Sequence, residues 1–454
     1  MSNLKISMIG AGSGFVISIA RELVVSPVFE GCTFIMMDIN PERLKVAERE
    51  VKKILDRHKS NIRVITTTQL ARALDGANYV ITSCEIKRWA FWLKDLKIPE
   101  RHGVFQVLGE NGGPGGQIHA LRNIGVLRKI TDMMEKCCPE AWLMNFTNPM
   151  SFLCTYLNKY TKVKTLGFCH QVHGSFGVIA EQLGMEPGEL EVVTGGVNHF
   201  NWLFDIRRRG TGKSCLKEFL RKVKKSTYWR RKHPLVPRQE FTLEILNTFG
   251  AYPVGYDDHI IEYIPFFYER GEWKKYGYSS CENSMKKLLA DEKTGISHTL
   301  EAITIQGKGV RHSPFPRDEH HPYYAEHPCQ VIEALETNKP TYFDAINIVN
   351  HGSIDNLPSD AVVDVPALAV GGEMRGIHVG ALPVAAMELC RRQITIHEMI
   401  AKAAYEGDAN LFLQALCLDP YVRSITQARA IWKDYLKAYG NYLPMFKLNK
   451  KSFG

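Results

Sequence analysis

The first forty residues constrain the fold more than any other stretch. A short apolar strand, 4–9, runs directly into a glycine-rich turn, and residues 16–25 then show the apolar spacing of a helix. A second apolar strand, Thr33–Met37, ends on Asp38. Strand, glycine turn, helix, strand and acid form the dinucleotide-binding unit, in which backbone amides meet a pyrophosphate at the helix N-terminus. We therefore expect a dinucleotide on the turn residues Gly10, Gly12, Ser13, Gly14 and Phe15.

Asp38 predicts which dinucleotide binds. A carboxylate at this distance from the turn accepts hydrogen bonds from the ribose hydroxyls and repels a 2′-phosphate, which favours NAD over NADP. The third glycine, Gly14, comes only two residues after Gly12, so the turn is not the commonest dehydrogenase pattern.

Alternating strands and helices continue through the first 195 residues. Apolar runs at 62–66, 79–83, 141–145 and 164–168 predict strands, and the segments 41–57, 69–75, 117–136 and 175–183 predict helices. This rhythm favours a mostly parallel sheet with helices on both faces, a Rossmann-like domain over residues 1–195. Residues 196–454 lose the rhythm and are expected to form an α+β C-terminal domain that completes the site. That part contains a strand–turn–strand stretch at 346–360 and helices from Pro383 onward, whereas 270–325 stays unassigned.

The glycine-rich stretch at 95–116 is predicted as a loop. It contains six glycines, five of them between 109 and 116. Such a loop is either mobile or closely packed over a ligand.

Composition excludes several classes of protein. The 454 residues carry a formal net charge of +9 without nucleic-acid motifs or interleaved aromatic residues, so we expect no nucleic-acid partner. The basic cluster at 222–232 is expected to be a solvated face. Eleven cysteines without repeated spacing are typical of a reduced, intracellular protein. With no apolar run of membrane-spanning length and no room for a signal peptide before the first strand, we expect a cytoplasmic protein without a membrane partner.

A possible metal site follows two apolar runs near the middle of the chain. Cys169 and His170 come directly after the strand predicted at 164–168, and His199 comes after a second apolar run at 191–194. Ligands sit beyond the carboxyl ends of strands in open α/β sheets. A thiolate and imidazoles on neighbouring strand ends suit a divalent transition metal with open coordination positions. The alternative is a buried free cysteine beside a loop histidine.

Two further stretches carry polar groups that can contact a ligand. Asn148 lies in a turn after the strand at 141–145, where its amide suits a ligand hydroxyl or the turn itself. The segment 250–263 holds Tyr256, Asp257, Asp258 and His259, a set that fits either an acid–base site or an exposed turn.

Taken together, these motifs resemble glycoside hydrolase family 4, whose members depend on NAD and a divalent metal. The resemblance covers almost the whole chain. It rests on the Gly10 turn with Asp38, 113–116 with 120–122, 145–149, Cys169 with His170, 196–199, Asp257 with His259 and Glu262, Asn350 with 356–358, and 380–383. It implies a lactate/malate dehydrogenase-like first domain, and we expect a homodimer or homotetramer.

The resemblance also implies the ligands of the metal and of the sugar. Cys169 and His199 would bind manganese together with two sugar hydroxyls, and Asn148 would hydrogen-bond the sugar nearby. His259 and Asn350 would be further substrate-binding residues.

His170 bears on the class of sugar. Relatives that act on unphosphorylated glycosides carry histidine after the metal cysteine, and this residue would protonate the leaving group of an alpha-glycoside. Gln171 departs from the Glu, Ser or Gly usual at the next position. Relatives that cleave uronides often carry arginine where this chain has Asp258, which weakens an alpha-galacturonidase assignment but leaves alpha-galacturonide, glucuronide, glucoside and galactoside open.

The implied mechanism is oxidation of sugar C3 by NAD, removal of the C2 proton, elimination of the leaving group, addition of water and return of the hydride. Phosphosugar relatives use a tyrosine as the C2 base where this chain has Gly250, so Asp257 is the expected substitute, with Asp258, Tyr252 and Tyr256 as alternatives. Two other readings are an NAD-dependent dehydrogenase of a small hydroxy acid or sugar, and a non-catalytic NAD-binding regulator.

Overall fold

The computed structural model describes residues 4–225, 240–264, 266, 276, 279–293 and 327–446. The first half is a parallel sheet with the strand order β3-β2-β1-β4-β5-β6, the order of a doubly wound dinucleotide-binding fold. The Rossmann-like prediction is therefore confirmed. The strands of this half are β1 Lys5–Ile9, β2 Thr33–Met37, β3 Arg63–Thr67, β4 Tyr79–Thr82, β5 Trp142–Asn145 and β6 Lys164–Gly167.

The sheet continues without a break into the second half. Antiparallel strands extend the order from β6 through β10, β11, β7 and β8 to β9, and β12 pairs with β11. The predicted domain boundary at 195 falls inside β7. These strands are β7 Leu190–Val197, β8 Phe200–Arg208, β9 Pro253–Val254, β10 Thr341–Val349, β11 Val362–Val370 and β12 Glu373–Gly376.

Helices cover the sheet. The described helices are α1 Phe15–Leu23, α2 Pro41–Arg57, α3 Leu70–Leu74, α4 Arg88–Arg101, α5 Gly113–Cys137, α6 Met150–Tyr160, α7 Gln171–Leu183, α8 Leu216–Lys225, α9 Glu240–Phe249, α10 Asp257–Ile260, α11 Glu282–Lys293, α12 Pro328–Thr337, α13 Val384–Glu406, α14 Ala409–Leu418 and α15 Ile425–Tyr439. Helices α13, α14 and α15 share one apolar core with α5 and α6. None of the described helices has the length and hydropathy to cross a bilayer.

A row of buried polar residues crosses the sheet at the level of the candidate site. Neighbouring strands place these residues in register, so their side chains share one face. The row is Thr82, Asn145, Gly167, Asn347, Asp364, Gly196 and Asn201. It lies two or three residues from Asn148, Cys169 and His199, so the sheet itself positions the predicted site.

Three sequence predictions about the elements are wrong. The strands that precede Cys169 and His199 are not neighbours, because β10 and β11, from far along the chain, lie between β6 and β7. The stretch 95–116 is not one loop: α4 runs to Arg101, and α5 begins at Gly113 with buried residues from its first turn. The second strand expected within 346–360 begins only at Val362. The basic cluster at 222–232 lies outside the described residues beyond Lys225, as does most of 270–325.

A buried ion pair ties α4 to α5. Arg122 donates two hydrogen bonds to Asp95, at 2.8 and 2.6 Å. The hydroxyl of Tyr439, at the end of α15, donates to the same carboxylate at 2.7 Å. Both charged side chains are almost fully buried, so each compensates a charge that burial would otherwise make costly.

Asp95→Ala should destabilise the protein by about 3–5 kcal/mol, because it leaves the Arg122 guanidinium buried without its partner. Urea denaturation measures the change. The matched control is Glu140→Ala, which removes an exposed pair with Lys164 and should cost about 0–1 kcal/mol. Equal losses in the two variants would contradict the anchoring role of Asp95.

Candidate active site

Cys169 and His199 meet although their strands are not neighbours. The Sγ of Cys169 lies 3.1 Å from Nε2 of His199, and the two residues are 9% and 4% exposed. Burial, followed by the nearby His259 and His170, holds the pKa of His199 well below its ordinary value. The imidazole is therefore neutral at neutral pH, which is the form that binds a metal.

His199 occupies a strained turn. Val197 pairs with Phe200, so Asn198 and His199 form the two-residue connection between β7 and β8. His199 has φ +66°, in the left-handed region that costs a residue with a Cβ about 1–2 kcal/mol. The turn thus gives up local stability to aim this imidazole at Cys169.

His259 lies against the two candidate metal ligands, Cys169 and His199, which form the metal pair of this site. Its ring centroid is 4.3 Å from that of His199, and its Nδ1 donates to Glu262 Oε2 at 3.3 Å. Burial opposes a charge on His259, but Glu262 and Asp258 outweigh it and raise its pKa to about 9. The structure therefore brings His259 to the site predicted for it, as a cation held by Glu262.

The glycine-rich segment before α5 wraps the carboxylate of Glu262. Oε1 of Glu262 accepts hydrogen bonds from the backbone amides of Glu110 at 2.6 Å and Asn111 at 3.0 Å. A Cβ on Gly112 would lie 2.6 Å from the carbonyl oxygen of Glu262, so only glycine permits this approach. Of the two expectations for these glycines, the contacts with Glu262 favour close packing.

Ion pairs and hydrogen bonds continue from this segment to Asn148. Arg88 pairs with both Glu110 and Glu85, and Glu85 lies 2.9 Å from Nε2 of His119. Asn123, one turn along α5 from His119, donates from its side chain to the carbonyl oxygen of Asn148 at 2.7 Å. This network fixes the turn that carries the half-buried side chain of Asn148.

Tyr256 and His170 both lie beside α7, the helix that follows Cys169. Gln171 Nε2 donates to the carbonyl of Val254 at 3.1 Å, which holds the segment before α10 against the start of α7. A Cβ on Gly174 would lie 2.8 Å from the hydroxyl of Tyr256, so this hydroxyl rests on the helix that follows Cys169. His170 is exposed and caps that helix.

Asp257 has a different position from the one predicted for a base. It is fully buried, and its carboxylate accepts from the amides of Phe241 at 2.9 Å and Thr242 at 3.0 Å and from the Thr242 hydroxyl at 2.6 Å. These bonds satisfy the N-terminus of α9. Asp258 is half-buried, and its Oδ1 accepts from the amide of His259 at 3.0 Å. The alternative Tyr252 packs on Phe219 in an apolar core.

Asn350 is the second correction. Its side-chain amide donates to the carbonyls of Ile354, Leu357 and Pro358 at 3.0–3.1 Å, and its oxygen accepts from the amide of Ile354 at 2.7 Å. The amide group is fully used within its own loop, which contradicts a substrate-binding role.

The glycine turn has the geometry of a phosphate cradle. Gly10 has φ +88°, and a Cβ there would lie 2.2 Å from the carbonyl oxygen of Ser83. Asp38 accepts from the amides of Gly12 at 2.9 Å and Asn40 at 2.8 Å, so its carboxylate is fixed beside the turn. Helix α1 begins at Phe15, and the amides of Val16 and Ile17 donate to the carbonyls of Ser13 and Gly14, so a phosphate at this N-terminus would face the preceding amides of Gly14 and Phe15.

Aromatic rings connect this turn to the metal pair. Phe15 lies 5.7 Å from Phe146, and Phe146 stacks on Phe168 at 5.1 Å between ring centroids. Phe168 directly precedes Cys169. A chain of packed rings thus runs from the dinucleotide turn to the residue before Cys169.

Sequence patterns did not single out Asp364 or Ser151. Asp364 Oδ2 accepts from the side chain of Asn198 at 3.0 Å, and Ser151 Oγ accepts from its backbone amide at 3.0 Å. One signal was available, since Asp364 is the only ionisable residue in the apolar run Val362–Val370.

A cleft of about 430 Å³ lined by Glu191, Arg207 and Tyr342, among others, contains none of the candidate residues.

Comparisons with known proteins match the chain to one family along most of its length. The chain matches the model of family 4 glycosyl hydrolases over residues 5–185 and the model of the C-terminal domain of that family over residues 194–422. It is 30% identical to an alpha-galactosidase of Bacillus subtilis (strain 168), over 98% of this chain and 100% of the relative. It is 28% identical to an alpha-galacturonidase of the same strain, over 96% and 98%.

Two solved structures are similar along their whole length. The Bacillus subtilis protein lplD, described as a glucosidase, has a TM-score of 0.80 at 26% identity and covers 96% of this chain and 100% of its own. A 6-phospho-alpha-glucosidase from gut microorganisms, solved with NAD and Mn²⁺, has a TM-score of 0.79 at 19% identity, with coverages of 98% and 100%.

Gly112→Ala should lower the free energy of unfolding by about 1–3 kcal/mol, because the new methyl group forces the Glu262 backbone away from the segment before α5. The control is Gly125→Ala in α5, where the nearest atom would be 3.5 Å away. Alanine there should gain about 0.5–1 kcal/mol from helix propensity. Chemical denaturation compares the two variants, and a neutral Gly112→Ala would contradict the close packing.

Proposed function

The chain belongs to family 4 of the glycosyl hydrolases, and from this premise we propose an NAD- and manganese-dependent glycosidase that hydrolyses unphosphorylated alpha-glycosides. The observation that carries the proposal is the 3.1 Å contact between Cys169 Sγ and His199 Nε2. As buried groups outside a metal site, a thiol and an imidazole have no packing reason to face each other across two intervening strands. All eleven cysteines are free, which supports a reducing compartment such as the cytoplasm.

The residues present fit both cofactors. Cys169 and the neutral His199 supply a thiolate and an imidazole, the donors preferred by divalent transition metals, and leave room for hydroxyl ligands. Asp38 beside the Gly10 turn suits the ribose of NAD and repels a 2′-phosphate. When bound, NAD would accept and return a hydride at sugar C3, and Mn²⁺ would polarise the C3 oxygen.

The chain's own residues supply binding and proton transfer. Asn148, fixed by Asn123, would hydrogen-bond the sugar, and the cationic His259 would donate a hydrogen bond beside the metal pair. His170, exposed next to Cys169, would protonate the leaving-group oxygen.

Asp258 is the C2 base that this geometry favours. Asp257 is committed to the N-terminus of α9. Burial and the charge of Asp258 raise the pKa of Tyr256, which makes its phenolate scarce at neutral pH. Asp258 is half-buried and close enough to His259 to influence its pKa.

Asp258 also bears on the sugar. A carboxylate at this position repels the carboxylate of a uronide, so we favour a neutral hexoside, and an alpha-galactoside first, since the alpha-galactosidase relative is 30% identical. Nitrophenyl alpha-galactoside, alpha-glucoside, alpha-galacturonide and alpha-glucuronide, each supplied with NAD, Mn²⁺ and a reductant, separate these choices.

Cys169→Ser and His199→Ala should each abolish activity while the fold stays intact. Each should also weaken Mn²⁺ binding by at least about 100-fold, because changing a residue that only orients a metal ligand can already cost that much. Titration of the free Mn²⁺ electron paramagnetic resonance signal measures affinity, and circular dichroism checks the fold. Cys32→Ser changes another buried cysteine, outside the site, and should keep Mn²⁺ affinity. Activity that survives exhaustive chelation would rule out the metal site.

Hydrolysis in heavy water should place deuterium at C2 of the product, because C2 is deprotonated and then reprotonated from solvent. In single-turnover exchange, Asp258→Asn should abolish the incorporation. Asp257→Asn should keep it while weakening the α9 N-terminus by about 1 kcal/mol. The reverse pattern would restore Asp257 as the base, and product fully protonated at C2 would exclude elimination whichever residue acts.

A further inference from the structure

Asp364 is a charge in the middle of the sheet. It is 1% exposed, lies between Val363 and Val365 on β11, and has no salt-bridge partner among the residues that the structure describes. A buried carboxylate without a counter-ion is costly unless hydrogen bonds compensate for the solvation that it has lost.

Its hydrogen bond to Asn198 reaches the residue before a metal-ligand candidate, and the side chains of Asn201 and Asn347 also bond its carboxylate. Asn198 Nδ2 donates to Asp364 Oδ2 at 3.0 Å. Two other contacts hold the backbone of the same asparagine: its amide donates to Ser151 Oγ at 3.0 Å, and its carbonyl accepts from the Tyr263 hydroxyl at 3.3 Å. Asn198 is therefore fixed from three separate elements.

The neighbouring backbone needs this support. His199 has φ +66°, a conformation that favours glycine, in a two-residue connection between β7 and β8. Pairing of β7 with β11 runs through a single residue pair, Gly196 with Asp364, among the described residues. The β7–β8 ladder ends at Val197 and Phe200, so the bonds to Asn198 are what fix the turn residues beyond it in their strained form.

We propose that Asp364 is a positioning residue that holds Asn198, and through it fixes the imidazole of His199 in its metal-binding orientation. This inference rests on the proposed metal site. Asp364 contacts neither metal-ligand candidate in the described structure, so its effect passes through the hydrogen bond to Asn198.

The test is Mn²⁺ affinity of the full-length protein, measured by electron paramagnetic resonance titration in wild type, Asp364→Asn, Asn198→Ala and the double variant. Each single substitution should weaken Mn²⁺ binding by about 10- to 100-fold, the usual cost of losing a group that orients a ligand. Because both act through one bond, the double variant should bind no more weakly than Asn198→Ala alone.

The matched control is Asp419→Asn. Asp419 is also a buried carboxylate that accepts from a side-chain amide, that of Gln117 at 2.7 Å, but it lies outside the candidate site. It should lower the melting temperature without changing Mn²⁺ affinity, whereas Asp364→Asn should lower Mn²⁺ affinity and leave NAD affinity at the wild-type value.

The outcomes separate the two proposals. If Cys169→Ser binds Mn²⁺ as tightly as wild type, the metal site itself is wrong. If Cys169→Ser loses Mn²⁺ while Asp364→Asn keeps wild-type affinity, or if Asp364→Asn and Asn198→Ala have additive effects, the positioning role alone is overturned. A loss of NAD and Mn²⁺ affinity together in Asp364→Asn would indicate a general structural role and likewise overturn it.

Discussion

The structure is constrained by the cost of burying a row of polar side chains inside its sheet. The row from Thr82 to Asn201 crosses seven adjoining strands at 0–1% exposure for its polar side chains. Each polar atom placed there costs free energy unless it finds a partner. Thr82 bonds Asn145 at 3.0 Å, and Asp364 bonds Asn198. The same level of the sheet therefore joins its parallel and antiparallel halves and places the candidate ligands.

Burial also explains why the glycine-rich segment packs closely against Glu262. A carboxylate such as Glu262, removed from water beside the metal pair, needs donors, and the backbone amides of Glu110 and Asn111 provide them. The amides can approach only because Gly112 has no Cβ to meet the Glu262 backbone. The glycines thus serve close packing, and Glu262 in turn orients His259 toward His199.

Local patterns predicted most of the fold because local forces determine it. Strands β1 to β6 follow from apolar runs, and the observed ends of β2 and α2 coincide with those expected from the residues. The insertion of β10 and β11 between β6 and β7 could not be predicted, since it depends on pairing between residues about 180 positions apart, such as Gly167 with Asn347.

The candidate site shows the same division. The residue types of Cys169 and His199 were enough to predict their meeting, although the strand adjacency invoked for it was wrong. For Asp257 and Asn350 the residue type was suitable, but the surroundings were not predicted. The carboxylate of Asp257 is bonded to the start of α9, and the amide of Asn350 is bonded within its own loop. Such bonds are visible only in the structure. A motif identifies side chains that can bind a ligand, and the surrounding residues decide whether those side chains are already hydrogen-bonded to the protein.

His199 shows how function overrides local preference in this protein. A glycine or asparagine would suit φ +66° better, yet only a histidine supplies an imidazole opposite Cys169. Holding such a turn requires bonds from outside it, and α6, β11 and Tyr263 each contribute one to Asn198. With two protein ligands proposed, each imprecision in His199 would weigh heavily on metal binding. The strained turn and its three supports are therefore best understood as one unit, in which stability elsewhere in the sheet maintains the geometry of a single ligand.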